Sequence, residues 1–262
     1  MKNLIAVLIF LSFVSCSMNS MLDENNDCWN CEQLLNTTGL ELYPFVPFTD
    51  EEMRLMSYDY KLDQRQIPED FLREMTTKEL FYQVVNTDLS KGMLLFNTGQ
   101  QGFWAVTESL NMFPELLSRP DAGQVLLELL NKVDPSKIEG ADCAWWYNCL
   151  QIILAQQEVI NFLTNEDIDQ YIHQQLRCHD AIRSLSKTNN PNWEYPASAV
   201  ELLFGLGNVM IRYNFEPFMQ MLEMYGRHPV TNELIWDTQR ISEQDALRII
   251  DYIKNFKQRK NE

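Results

Sequence analysis

Two apolar stripes at helical spacing, between Asp142 and Leu185, restrict most strongly what this chain can fold into. Trp145, Cys149, Ile152, Ile153, Val159, Ile160 and Leu163 recur three and four residues apart, so they share one helical face. Thr164-Asn165-Glu166-Asp167 then interrupts the pattern with good N-cap chemistry. A second stripe follows at Ile168, Tyr171, Ile172, Leu176, Ile182 and Leu185. A connection this short predicts two long helices folded back on each other as an antiparallel pair.

The rest of the chain carries helix signals in series. Thr49 to Glu52 and Thr76 to Glu79 are capping-box patterns, and Pro68 stands where a first helical residue would. Leu80, Phe81, Val84 and Val85 form one apolar face, and Val125, Leu126, Leu129 and Leu130 form another, behind Asp121 as a cap. A helix is expected over about 101–111, with Gly99 before it. Asp142 is the expected cap of the first hairpin helix. Later helices are expected over about 196–213, 217–225 and 242–257, the second closed by Gly226. No stretch alternates apolar and polar residues long enough to require a sheet. The expected fold is all-α: an irregular antiparallel αα array of about eight to ten helices, without a repeat period.

The amino terminus reads as a targeting segment. Lys2 precedes an apolar run from Leu4 to Val14, too short to span a bilayer, and the run stops at Val14-Ser15-Cys16. This ending resembles the lipobox of bacterial lipoproteins, with Phe13 where that family prefers Leu. The resemblance implies that Cys16 is lipidated and becomes the first mature residue, anchoring the protein to a membrane. Ser17 after the cysteine implies the outer membrane of a Gram-negative bacterium, on its periplasmic or cell-surface side. Asp23, Glu24 and Asp27 loosely resemble surface-export signals of Bacteroides-like lipoproteins; a solvated linker accounts for them better. The expected organisation is a signal peptide over 1–15, an acidic tether and extended segment over 16–50, and one helical domain over 51–262. Within the tether, Tyr43-Pro44-Phe45-Val46-Pro47-Phe48 is extended and apolar and should lie across the domain surface.

The formal charge is −16, and removing residues 1–15 takes away only Lys2 among charged side chains, leaving −17. Such a chain repels phosphate backbones, so nucleic acid is not an expected partner. Six cysteines are present. An exported chain meets an oxidising compartment, where disulfides persist. Cys149 and Cys178 lie at equal distances from the turn of the expected hairpin, which predicts a disulfide between them; two small buried thiols are the competing reading. Cys28-Trp29-Asn30-Cys31 lacks the βαβ context of a redox motif and the further ligands of a zinc site, so a local disulfide or two inert thiols fit it. Cys143 is left over.

Catalytic candidates are sparse. His173 and His179 are six apart, off the spacing of a helical metal pair, and His179 beside Cys178 points about 100° away from it. Partly exposed helix positions explain these two and His228, and no metal or cofactor is expected. Thr107-Glu108-Ser109 resembles the Glu-Ser motif of lytic transglycosylases, helical envelope enzymes that use one glutamate as acid and base. That resemblance makes Glu108 the sharpest catalytic candidate, although the family's later motifs are missing. Trp145-Trp146-Tyr147, Trp193 with Tyr195, and Trp236 suit either a sugar-stacking surface or the core. Met210, Met219, Met221 and Met224 around Phe215 and Phe218 suit a groove or core filling, and Gly205 and Gly207 suit close helix approach or a concave spot. Ile67-Pro68-Glu69, Met75-Thr76-Thr77, Gln101-Gly102-Phe103 and Asp121-Ala122-Gly123 together resemble uncharacterised secreted helical proteins of Bacteroides-type gut bacteria. That family carries no known activity and transfers no site. The reading that follows is a lipid-anchored, non-enzymatic helical module with a protein or glycan partner; the alternative is a glycan-cleaving envelope enzyme using Glu108.

Overall fold

The computed structural model of the protein describes residues 29–95, 99–138, 140–189, 200–223 and 243–260. The fold is all-α, and no strand forms among the described residues. Dense capping signals keep most helices short. Asn30 and Gln33 close a reciprocal capping box on α1 (Cys31–Leu35), as Thr49 and Glu52 do on α2 (Asp50–Leu55). Ser57 caps α3 (Tyr58–Asp63), and Pro68 immediately precedes α4 (Glu69–Glu74). Thr76 and Glu79 box α5 (Thr77–Asn86), which leads into a 3₁₀ stretch at Asp88–Leu95. Then come α6 (Gly99–Thr107), α7 (Met112–Ser118) and α8 (Ala122–Asn131). Asp121 stands at the α8 N-cap position without capping it; its carboxylate instead accepts from the Thr77 hydroxyl at 2.5 Å.

A short 3₁₀ turn, Pro135–Lys137, precedes α9 (Ala141–Leu154), the helix around which the others pack. From Cys143 to Leu154 every residue of α9 except Asn148 is buried. Its close neighbours are α1, α5, α6, α8, α10 and α12. A helix apolar on all sides belongs in an interior, and so Trp145, Trp146 and Tyr147 all lie in the core. Asp142 does not cap α9: Gly140, at φ 79°, holds the N-cap position, and Asp142 is exposed 3.4 Å from Lys91.

The expected hairpin needs correction. Its first arm is two helices, because α9 ends at Leu154, Gln156 is extended (φ −66°, ψ 141°), and α10 (Gln157–Phe162) starts afresh. The interruption is sustained because side chains satisfy the carbonyls it frees. Gln156 Nε2 donates to the Ile152 carbonyl at 2.6 Å, and buried Asn208 Nδ2 donates to the Ala155 carbonyl at 2.7 Å. Arg212 donates to the Ile160 carbonyl. The second arm, α11 (Asn165–Asn189), opens as expected: Thr164 Oγ1 accepts from the Asp167 N–H at 3.2 Å and the Asp167 carboxylate accepts from the Thr164 N–H at 2.9 Å. Its close neighbours are α8, α12 (Val200–Arg212), α14 (Glu243–Lys260) and the turn at Pro135–Lys137. After α12, the short α13 (Glu216–Glu223) packs on α12 and α14 and buries Phe218 and Met221.

Gly205 is where α12 meets α11. A Cβ there would lie 1.8 Å from the Tyr171 hydroxyl and 3.3 Å from Ala155 Cβ. The glycine is required by close approach, one of the two readings open from sequence.

Residues 29–48, expected as the end of a tether, pack on the domain. The Trp29 N–H donates to the Lys132 carbonyl at 2.7 Å, and Leu34 is buried with its carbonyl accepting from Tyr82 Oη at 2.9 Å. Further along, the Tyr43 N–H donates to Gln83 Oε1 at 2.7 Å. The Tyr43 ring sits edge-on to Phe45 and Phe71. Buried Arg65 lies over the Phe48 ring at 3.8 Å and holds Asp88 through two bonds of 2.8 Å. The apolar segment thus crosses the domain surface as its composition implies.

Candidate functional site

A concave feature supplied with polar groups runs along α11. Glu166, Asp169, Gln170, His173, Gln174 and Arg177 follow one another at spacings of three and one, which places them on one stripe of the helix. Asn131, the last residue of α8, faces them, and together they line an open groove of about 540 Å³. The opposite stripe of the same helix, Ile168, Tyr171, Ile172 and Cys178, is buried. Amphipathicity therefore fixes which side chains α11 turns toward the groove.

Two of the lining residues are held from behind. Gln174 is buried, and its Nε2 donates to the Leu130 carbonyl at 3.0 Å and the Val133 carbonyl at 3.5 Å. Arg177 NH2 donates to the same Val133 carbonyl at 2.8 Å, while its buried Nε has no hydrogen-bond partner. These bonds satisfy carbonyls in the last turn of α8 and just past it, where a helix leaves its last acceptors unpaired. The groove offers amide, carboxylate, imidazole and guanidinium groups, carried on the apolar stems of the same side chains.

Behind the stripe, a buried polar chain joins α11 to α9. Gln175 Nε2 donates to Gln151 Oε1 at 2.6 Å, Gln151 Nε2 donates to Tyr147 Oη at 2.8 Å, and Cys178 lies beside Tyr147. Burial pushes the Cys178 thiol up to about 11, and it raises the Tyr147 and Tyr171 phenols as well. The Tyr171 hydroxyl lies beside the Gln175 amide, yet neither it nor Gln175 Oε1 has a partner in hydrogen-bond geometry. Every member of this chain is sealed in the core, so its chemistry is that of a strut between helices.

No protein-family model, curated protein or solved structure matches this chain.

Several sequence candidates fall elsewhere. Glu108 is exposed in the turn that follows α6, without the burial that arms a lone catalytic carboxyl. The predicted Cys149–Cys178 disulfide is not formed; both residues are buried free thiols. The reason is the face of α9 each occupies: Gln151, with Tyr147 one turn before it, is turned toward Gln175 of α11, and Cys149, two residues from each, points to the other side of the helix. Burial raises the Cys149 thiol well above its ordinary range, so both thiols are of the inert kind. The bridge that does form joins Cys31 to Cys143, with Cα atoms 5.5 Å apart across 112 residues of sequence. It appears because α1 docks on the start of α9, an event with no signature in the local pattern of a presumed tether.

His173 is exposed in the groove, whereas His179 is buried, with Nδ1 3.1 Å from the Asp180 carboxylate. Burial lowers the His179 pKa, and Asp180 only partly offsets that. The two imidazoles do not converge, and no group of metal-binding side chains occurs among the described residues. Of the described tryptophans, Trp104 on α6 is the exposed one, at 54 %. Met210 and Met221 are core residues, as is Phe218. Cys16, Cys28, Trp193, Tyr195, Met224, His228 and Trp236 lie outside the described residues. The groove itself was missed by sequence reasoning. Its helical stripe is legible as a polar face, but its concavity depends on Asn131, which only the packing of α8 brings opposite.

Proposed function

We propose that the protein is an exported, lipid-tethered helical module of the cell envelope that binds a protein or glycan partner. The observation that carries this reading is the open polar groove along α11, whose floor residues Gln174 and Arg177 are held in place by carbonyls at the end of α8. Preordered polar groups in a concavity suit recognition, since less side-chain freedom is lost on binding. Export is supported by the Cys31–Cys143 bridge, a kind of cross-link that persists in oxidising compartments. The tether is supported by the run from Leu4 to Val14 ending at Cys16, which resembles a lipobox. Ser17 after that cysteine supports outer-membrane placement.

Labelling with a palmitate analogue in a Gram-negative host tests the anchor. Wild type should incorporate label and partition into detergent, and Cys16→Ser should do neither. A mature product that begins at another residue and carries no acyl chain overturns the tether. Incubating the mature domain with purified peptidoglycan tests the binding reading: release of soluble fragments would transfer the protein to the enzyme class.

A further inference from the structure

We propose that the Cys31–Cys143 bridge is one state of an exchangeable latch, whose other state joins Cys28 to Cys31 and leaves Cys143 as a thiol. The latch concerns the N-terminal strap and is independent of what the α11 groove binds.

The cysteine count singles out Cys28. Of six cysteines, Cys31 and Cys143 form the bridge, Cys149 and Cys178 are buried free thiols, and Cys16 is the expected lipidation site. Cys28 is the one that remains, and by sequence it stands at C-x-x-C spacing from Cys31. Two cysteines so spaced form and exchange a local disulfide readily.

The residue next to Cys28 is anchored beside the bridge. The Trp29 N–H donates to the Lys132 carbonyl at 2.7 Å, and its ring lies 4.6 Å from Lys132 Nζ and 5.9 Å from Lys78 Nζ. One peptide step of about 3.8 Å ties Cys28 to that anchored residue. A thiol tethered so closely meets the bridge at an effective concentration of about millimolar or above.

The two bridged residues differ in access. Cys31 is half-buried at the start of α1, whereas Cys143 is sealed at 1 % exposure. Attack therefore falls on Cys31. The Cys28 thiolate bonds to Cys31 Sγ and the Cys31–Cys143 bond breaks. Cys143 Sγ leaves with the electron pair and takes up the proton that Cys28 lost. One disulfide and one thiol stand on each side of the exchange, so no oxidant or reductant is consumed.

Docking of α1 decides which state prevails. Leu34 is buried, and its carbonyl accepts from Tyr82 Oη at 2.9 Å. While α1 lies on α9, the Cys31 and Cys143 Cα atoms are 5.5 Å apart, inside the span of a disulfide. Once α1 lifts, the local pair is favoured, because the other bridge must close a loop across 112 residues. The disulfide thereby records whether the strap is docked.

The test uses the whole chain with Cys16→Ser, so that the anchor cysteine takes no part. The protein is incubated with a trace of glutathione, quenched in acid, alkylated and mapped without reductant. Most molecules should carry Cys31–Cys143, and a minor fraction should give a Cys28–Cys31 peptide together with alkylated Cys143. Leu34→Ala, which weakens α1 docking, should raise that fraction about tenfold or more. Phe218→Leu is a core change on α13, which packs on α12 and α14. It should destabilise the domain and leave the fraction where it was. Three results overturn the latch. One is absence of the Cys28–Cys31 peptide from the parent and Leu34→Ala alike. Another is an equal rise in Leu34→Ala and Phe218→Leu, which would make exchange a by-product of general unfolding. The last is recovery of Cys28 only in a bridge between two copies of the chain. None of these outcomes depends on acylation, so failure of the latch and failure of the anchor are told apart.

Discussion

Substituting Gly205 by alanine should destabilise the protein through one identifiable collision. An ideal Cβ at position 205 would sit 1.8 Å from Tyr171 Oη and 3.0 Å from Tyr171 Cζ. Ordinary contact begins near 3.4 Å, so the phenol would have to withdraw by about 1.5 Å from a core in which Tyr171 has no exposed surface. Overpacking of this kind costs about 1–3 kcal/mol, and a sealed ring belongs at the top of that range. Alanine in a helix recovers about 1 kcal/mol relative to glycine. The net loss for G205A is therefore about 2 kcal/mol, or about 4–8 °C in Tm for a domain of this size. Tyr171→Phe removes the colliding oxygen, and that oxygen has no hydrogen-bond partner to lose. Y171F alone should stay within about 1 kcal/mol of wild type. The double variant should recover most of the G205A loss, giving a coupling of about 1–2 kcal/mol. Urea denaturation of the oxidised protein, comparing midpoints across the four-member cycle, measures this. Simple additivity, or a G205A variant as stable as wild type, would refute the claim that the phenol sets the helix separation.

Asn208→Ala should cost about 1–3 kcal/mol, because it leaves the buried Ala155 carbonyl without its donor at the interruption between α9 and α10; thermal melts compare it with an exposed control such as Gln170→Ala. Reducing the Cys31–Cys143 bridge should lower stability by about 2–5 kcal/mol, given the long loop it closes. Peptide mapping without reductant should recover that pair, with Cys149 and Cys178 alkylated only after unfolding; a mapped Cys149–Cys178 peptide would refute the pairing. Asp88 titrates in a way that links stability to pH. Burial pushes its carboxyl up, but the Arg65 hydrogen bonds and charge and the Leu89 N–H outweigh this and hold it below the usual range. A lowered folded-state pKa contributes stability above the unfolded value of about 3.9, and that contribution is lost as pH falls through the folded value. Asp88→Asn should flatten the acid limb of a stability–pH curve in that window. His179 adds an acid limb at higher pH. Its folded pKa is lowered, so protonation of the unfolded chain costs stability as pH drops below about 6.5, and His179→Gln should remove that slope.

The helical class, the capping boxes at Thr49 and Thr76, the start of α11 at Thr164 and the docked apolar segment around Tyr43 were legible in the sequence. Each depends on neighbours within a few residues, or on a periodicity that one helix expresses by itself. The interruption at Gln156 was not legible, because the apolar spacing runs through it unbroken. What sustains it is Asn208, fifty-two residues onward, delivering an amide to a carbonyl that an uninterrupted helix would have satisfied. The disulfide partners of Cys31 and Cys143, the close contact at Gly205 and the concavity of the α11 groove are decided the same way. Each needs two segments far apart in the chain to arrive at one place, and only packing around the all-round buried α9 brings them there. Local pattern determines which face of a helix is buried; the tertiary structure decides what that face meets, and with it which polar residues end up opposite one another.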